Sequence, residues 1–125
     1  MADLIVADAS VLIAWLDDRD EHHSAAIEMI AAVERFFVHP LTLAEVLVHP
    51  ARTGRERDVL SRLEAVGMVL SSRPLDPVAL AKLRASTKLK MPDCVALACA
   101  RDHGLDVATF DDALRVAADS GRSTA

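Results

Sequence analysis

No tyrosine occurs among the 125 residues, and Trp15 with three phenylalanines brings the aromatic share to only 3%. Sequence-tolerant capture of single-stranded nucleic acid by base stacking needs a row of aromatic faces, so that mode is excluded. Cysteine is nearly as scarce, with Cys94 and Cys99 the only two. They stand five apart in a helical pattern, about 140° apart at roughly 100° per residue. Neither a CxxC redox pair nor a thiolate metal site fits, and both read as small core hydrophobes. The longest apolar runs, Val11 to Leu16 and Cys94 to Ala100, fall far short of the roughly 20 residues of a membrane-spanning helix. Asp3 stands where a secretory signal would be basic, and Asp8 interrupts the first apolar stretch, so a cytoplasmic location is expected. The five histidines, His22, His23, His39, His49 and His103, form no HxH or HExxH pattern and read as surface or structural residues.

What is present is a chain 52% hydrophobic with a formal charge of −5. At this length one soluble domain buries roughly two-thirds of its unfolded surface, enough to fold without disulfides or a structural metal. The charge is divided along the chain. Residues 1–50 hold two basic and nine acidic side chains, and residues 52–101 hold ten basic and five acidic ones. A basic half on an acidic protein is compatible with a polyanion held through its phosphates, and equally with solvated helix faces.

Leu4 to Ala7 is a short apolar run of the kind found in a buried parallel strand, ending at Asp8. Helical patterns follow over Val11 to Leu16 and over Ser24 to Phe36, the latter with Ala26, Ile27, Ile30 and Val33 on one face. Further strands fit Phe36 to Val38, Met68 to Leu70 and Asp106 to Thr109. Helices fit Thr42 to Val48 with Pro50 ending or bending it, Arg55 to Val66 stopped by Gly67, and a segment opened by Asp76-Pro77. Another runs from Asp93 to Asp102 behind Pro92 and closes at Gly104; the last covers Asp111 to Ala118. This alternation predicts a three-layer α/β domain over residues 1–118, with a parallel sheet of four or five strands flanked by helices, and a loose tail at 119–125.

Ligands of such sheets bind beyond the carboxyl ends of the strands, where strand order reverses. Four acids fall at that edge: Asp8 after the first strand, Glu45 after the second, Asp93 at a helix start and Asp111 after the fourth. Each has an ordinary structural alternative. Thr42-x-x-Glu45 matches a capping box, Asp93 suits a helix dipole, and Asp111 or Asp112 suits a helix cap. Asp8 is hardest to explain in that way, because an acid continuing a buried apolar strand is costly without a neutralising partner. Together the acids form an oxygen-rich site for a hard divalent cation, the kind of ion that activates water and clamps phosphodiester oxygens.

Leu4 to Ser10, Thr42-x-x-Glu45, Met91-Pro92-Asp93-Cys94-Val95-Ala96-Leu97-Ala98 and Ala108-Thr109-Phe110-Asp111, in that order and spacing, resemble the PIN domain. The chain is similar, from about residue 3 to 118, to VapC-type toxins of type II toxin–antitoxin systems. The resemblance implies a ribonuclease dependent on Mg2+ or Mn2+, an RNA substrate, a cognate VapB-type antitoxin and a homodimer. It also implies that Asp8, Glu45, Asp93 and Asp111 act as catalytic acids and metal ligands, supported by Ser10 and Thr109, with Asp112 as the alternative to Asp111. A catalytically inactive interaction module of the same fold and a metal-independent histidine nuclease are the competing readings.

Overall fold

The computed structural model describes residues 4–123. Four three-residue strands, β1 (Ile5–Ala7), β2 (Phe36–Val38), β3 (Met68–Leu70) and β4 (Asp106–Ala108), form one sheet in the order β3-β2-β1-β4. All neighbours are parallel, and β1 pairs with β4 through Ile5 to Asp106, Val6 to Val107 and Ala7 to Ala108. No fifth strand occurs among the described residues. Order therefore reverses at the β1/β4 boundary, the place where a parallel sheet opens a crevice.

The two central strands, β1 and β2, are covered on both faces and read as continuous apolar runs, whereas β3 and β4 at the sheet edges end or begin with an exposed residue, Leu70 and Asp106. Successive side chains point to opposite sides. Ala7, Phe36, Val38 and Met68 pack into one core with α1 (Ala9–Leu16), α2 (His23–Ala31), α3 (Pro40–Ala51) and α4 (Glu56–Ala65). Val6, Phe37 and Val107 turn to the other side, where Cys99 and Ala100 of α6 (Met91–His103) meet them. Leu97 and Cys94 of that helix join Leu80 and Leu83 of α5 (Pro77–Ser86) and Leu114 of α7 (Asp112–Ser123). Three layers result, and both cysteines are free and buried.

Several boundaries differ from those the sequence predicts. The helix expected from Thr42 begins at Pro40, with the His39 ring accepting from the Leu41 amide at 3.1 Å. Proline fits a first turn because its missing N–H would have no partner there. The capping box is consequently not formed: Thr42 is buried inside the first turn and Glu45 lies a turn deeper. Pro50 does not stop the helix, which ends one residue later at Ala51. The helix expected to reach Phe36 ends at Ala31, and Ile27 is exposed while Ala26 and Ile30 are buried. Residues 119–123, expected as part of a loose tail, continue α7 to Ser123, while 124 and 125 lie outside the described residues. Asp76 caps α5 through the Val78 amide, and Gly104 ends α6 with a left-handed φ of 68°, both as the sequence indicates.

Gly67 holds β2 and β3 in register. Its carbonyl accepts from the Phe36 amide at 3.0 Å, and its φ of 110° belongs to a region that favours glycine. A Cβ there would lie 2.3 Å from the Glu34 carbonyl oxygen, so glycine is required on both counts.

Candidate active site

Asp8 follows β1 directly and is only 4% exposed. Its carboxylate Oδ1 accepts from the Ser10 hydroxyl at 2.7 Å and from the Val11 amide at 3.1 Å, and Oδ2 accepts from the Thr109 hydroxyl. Each hydroxyl is itself fixed by a backbone donor. Phe110 N–H donates to Ser10 Oγ at 3.0 Å, and Asp111 N–H donates to Thr109 Oγ1 at 2.9 Å. The carboxylate is thus the hub of a network joining the ends of β1 and β4. Burial pushes its pKa up, while the hydroxyls of Thr109 and Ser10 and nearby amides pull against that shift by favouring the charged form.

The other predicted acids meet Asp8 in one cleft of about 240 Å³, lined by Asp8, Glu45, Asp93, Asp111, Thr42 and Pro92 among others. The helix that precedes β4 therefore starts over the same sheet edge, and Asp93 comes from its first turn. Desolvation raises the Asp93 pKa, and the charges of Asp111, Asp8 and Glu45 raise it further, opposed by Lys90. Asp111 also holds the start of α7, with Oδ1 accepting from the Leu114 amide at 2.9 Å. Asp112 does not line the cleft; it is exposed and pairs with Arg115 at 3.0 Å.

The donor set suits a hard cation. It is all carboxylate oxygen, and the mutual repulsion felt at Asp93 is relieved by positive charge. Among the described residues no three His, Cys, Asp or Glu side chains already form a metal-holding group; the acids line the cleft without closing on one point. Oδ1 of Asp8 is engaged by Ser10 and Val11, and Oδ2 by Thr109. Carboxylates spread along a cleft in this way fit a hard divalent ion that takes one or two of them directly and keeps water in its other positions.

Two contributors escape sequence reading. Arg115 donates through Nη2 to the Thr109 carbonyl at 3.1 Å, bracing the turn that carries the Thr109 hydroxyl. His22 stacks on Phe110, with ring centroids 4.4 Å apart, from the α1–α2 loop. Nothing in the spacing of residues 22, 110 and 115 announces these contacts: the first joins segments 88 residues apart, and the second is a side-chain bond to a carbonyl outside α7. No histidine lines the acidic cleft among the described residues. His23 instead meets the Ala14 carbonyl at 2.7 Å, and His103 meets the Ser71 hydroxyl at 2.8 Å.

A three-layer α/β domain with acids gathered at the β1/β4 switch is the class these features define. Residues 5–120 match the PIN domain model, and the chain belongs to the PIN domain family. Among solved structures it is similar to the Mycobacterium tuberculosis toxin VapC20, described as cleaving the sarcin-ricin loop. The identity is 19% over 92% of this chain and 95% of that one, with a TM-score of 0.70. It is also similar to a chain of a toxin–antitoxin complex from Klebsiella pneumoniae, at 25% identity over 86% of each chain and a TM-score of 0.67. A third likeness is to PAE2754 of Pyrobaculum aerophilum, at 22% identity over 93% of this chain and 86% of that one, with a TM-score of 0.61. No curated protein matches by sequence. No helix among the described residues is long and apolar enough to cross a membrane.

Proposed function

We propose that this chain is a ribonuclease toxin of the VapC type, dependent on Mg2+ or Mn2+ and neutralised by a VapB-type antitoxin. The observation that carries the reading is the meeting of Asp8, Glu45, Asp93 and Asp111 in one cleft, with Asp8 anchored by two hydroxyls and Asp93 burdened by three like charges. Bound to these oxygens, a divalent ion would supply an activated water and charge stabilisation for a phosphodiester. Asp8 holds its oxygens still through Ser10 and Thr109. Asp93, Glu45 and Asp111 present carboxylates from three other segments of the chain and, with Asp8, would hold the ion. The similarity to a sarcin-ricin-loop-cleaving toxin and to a toxin–antitoxin complex supports RNA as substrate and an antitoxin as partner.

Hydrolysis by water, without a histidine pair to enlist the neighbouring 2′-hydroxyl, leaves 5′-phosphate and 3′-hydroxyl ends. Mapping the termini of cleaved cellular RNA checks this expectation; 2′,3′-cyclic phosphates would contradict it. The same assay tests the function: cleavage in magnesium, none in EDTA and none with Asp8→Asn. Cleavage that survives EDTA would favour histidine chemistry, and no cleavage in any sample would favour an inactive module.

The sequence points to Thr42 to Val66 as an oligomer or antitoxin surface through Leu43, Val46, Leu47, Val59, Leu60 and Leu63, but Leu43, Val46, Val59 and Leu63 are buried in the core, so the surface proposed here is the part of α3 that stays exposed. Leu41 and Val48 are 63% and 51% exposed on one stripe of α3, and an apolar stripe of this kind marks an interaction site. A homodimer through this region is expected, and sedimentation equilibrium of the parent against Val48→Glu reads it. A parent that stays monomeric at high concentration would refute the dimer.

A further inference from the structure

The acidic cleft is too small to contain more than the immediate surroundings of one phosphodiester, so the rest of any polynucleotide must leave along the surface joined to it. One large depression adjoins. A groove of about 700 Å³ between α1 and the α3–α4 pair shares Ile13 and Glu45 with the cleft. Three other depressions of comparable size share no lining residue with it.

Arg19, Arg55 and Arg62 line this groove. None of the three makes an ion pair among the described residues, although Asp17 and Asp18 line the groove too. Asp17 is engaged elsewhere, its Oδ1 accepting from the Arg19 amide at 3.0 Å. The Arg62 guanidinium lies over the Trp15 ring, 5.5 Å from its centroid, which limits the freedom it gives up on binding an anion. Unpaired guanidiniums are suited to phosphate, which they grip through a planar fork of N–H groups.

We propose that this groove carries the sugar–phosphate backbone of single-stranded RNA on one side of the scissile bond, held by Arg19, Arg55 and Arg62. The proposal rests on the ribonuclease reading for the chemistry in the cleft. The groove, however, is tested by binding alone.

The full chain in EDTA is titrated into a fluorescein-labelled single-stranded RNA, and anisotropy gives the affinity across a salt series. Removing an arginine that neutralises one phosphate should make the slope of log affinity against log salt shallower by about 0.7. Arg55→Ala and Arg62→Ala are each expected to show that change, Arg62→Lys to keep the parent slope, and Lys82→Ala, in a separate depression beside α6, to leave it unaltered. Slopes equal to the parent's in both arginine variants, or an equal change in Lys82→Ala, would overturn the proposal; the first result would leave the groove to a peptide. Arginine-dependent slopes in a parent that leaves RNA intact in magnesium would support the groove and defeat the ribonuclease reading. Cleavage with unchanged slopes would do the reverse.

Discussion

Asp93→Asn will abolish RNA cleavage while leaving the metal-free protein at least as stable as the parent. The second half separates a ligand from a structural acid. In the parent, burial and the charges of Asp111, Asp8 and Glu45 raise the Asp93 pKa, so the folded state holds its proton more tightly than the unfolded chain does. Stability from that preference is fully present below the ordinary carboxylate pKa near 3.8. It is lost as pH rises through the raised value. At neutral pH the ionised group therefore counts against the fold, and asparagine removes the burden. Magnesium should offset it in the parent by about 2.7 kcal/mol at a hundredfold excess over its Kd, or roughly ten degrees in Tm for a domain of this size. Asp93→Asn should lose most of that rise. Were the acid merely complementing the α6 dipole, its replacement would cost about 0.3–1 kcal/mol, and magnesium would raise the Tm of parent, Asp93→Asn and Asp93→Ala equally. Thermal melts of all three, with and without magnesium, decide the matter.

Thr109→Val is expected to injure both stability and activity, although Thr109 is buried behind the acids and does not line the cleft. Its hydroxyl donates to Asp8 and accepts from Asp111 N–H; valine preserves the shape and removes both bonds. A buried carboxylate short of a donor and an amide short of an acceptor together cost about 1–3 kcal/mol. The loss should be largest at neutral pH, where Asp8 is charged, and smaller in acid, where Asp8 takes up a proton and no longer depends on the donor. Losing a partner that orients a metal ligand typically lowers metal affinity or activity by about 10- to 100-fold. Thr109→Ser should recover most of both. Urea denaturation at neutral and acidic pH, together with the magnesium dependence of cleavage, checks the pair; equal stability of valine and parent at neutral pH would show that Asp8 does not rely on this bond.

Asp8 and Asp111 stand out as candidates in the sequence because strand ends are legible. A charged residue set against an apolar triplet, as Asp8 follows Ile5 to Ala7, stands out without any coordinates, and Asp111 follows β4 by the same logic. Glu45 falls on the right edge, but from the wrong helix start: Thr42 resembles a cap, whereas Pro40 with the His39 ring supplies the actual one. Ser10 and Thr109 are indicated by family resemblance and not by physics, since a lone hydroxyl carries no pattern of its own. The network itself is out of reach, as are Arg115 beneath Thr109 and the arginine groove. Contacts across about a hundred residues depend on sheet order, and β3-β2-β1-β4 cannot be read from strands of three residues each.

The β1/β4 pairing that creates the cleft also decides when the cleft exists. Asp8 and Ser10 receive their partners from residues 109 and 110, the longest sequence separations in the network. Closing so long a loop belongs late in folding, so β4 is expected to join β1 after the shorter-range contacts have formed. Until β4 pairs with β1, Asp8 lacks the Thr109 hydroxyl and Ser10 lacks the Phe110 amide. The cleft is therefore a late product of folding, complete only when Thr109 and Phe110 reach Asp8 and Ser10.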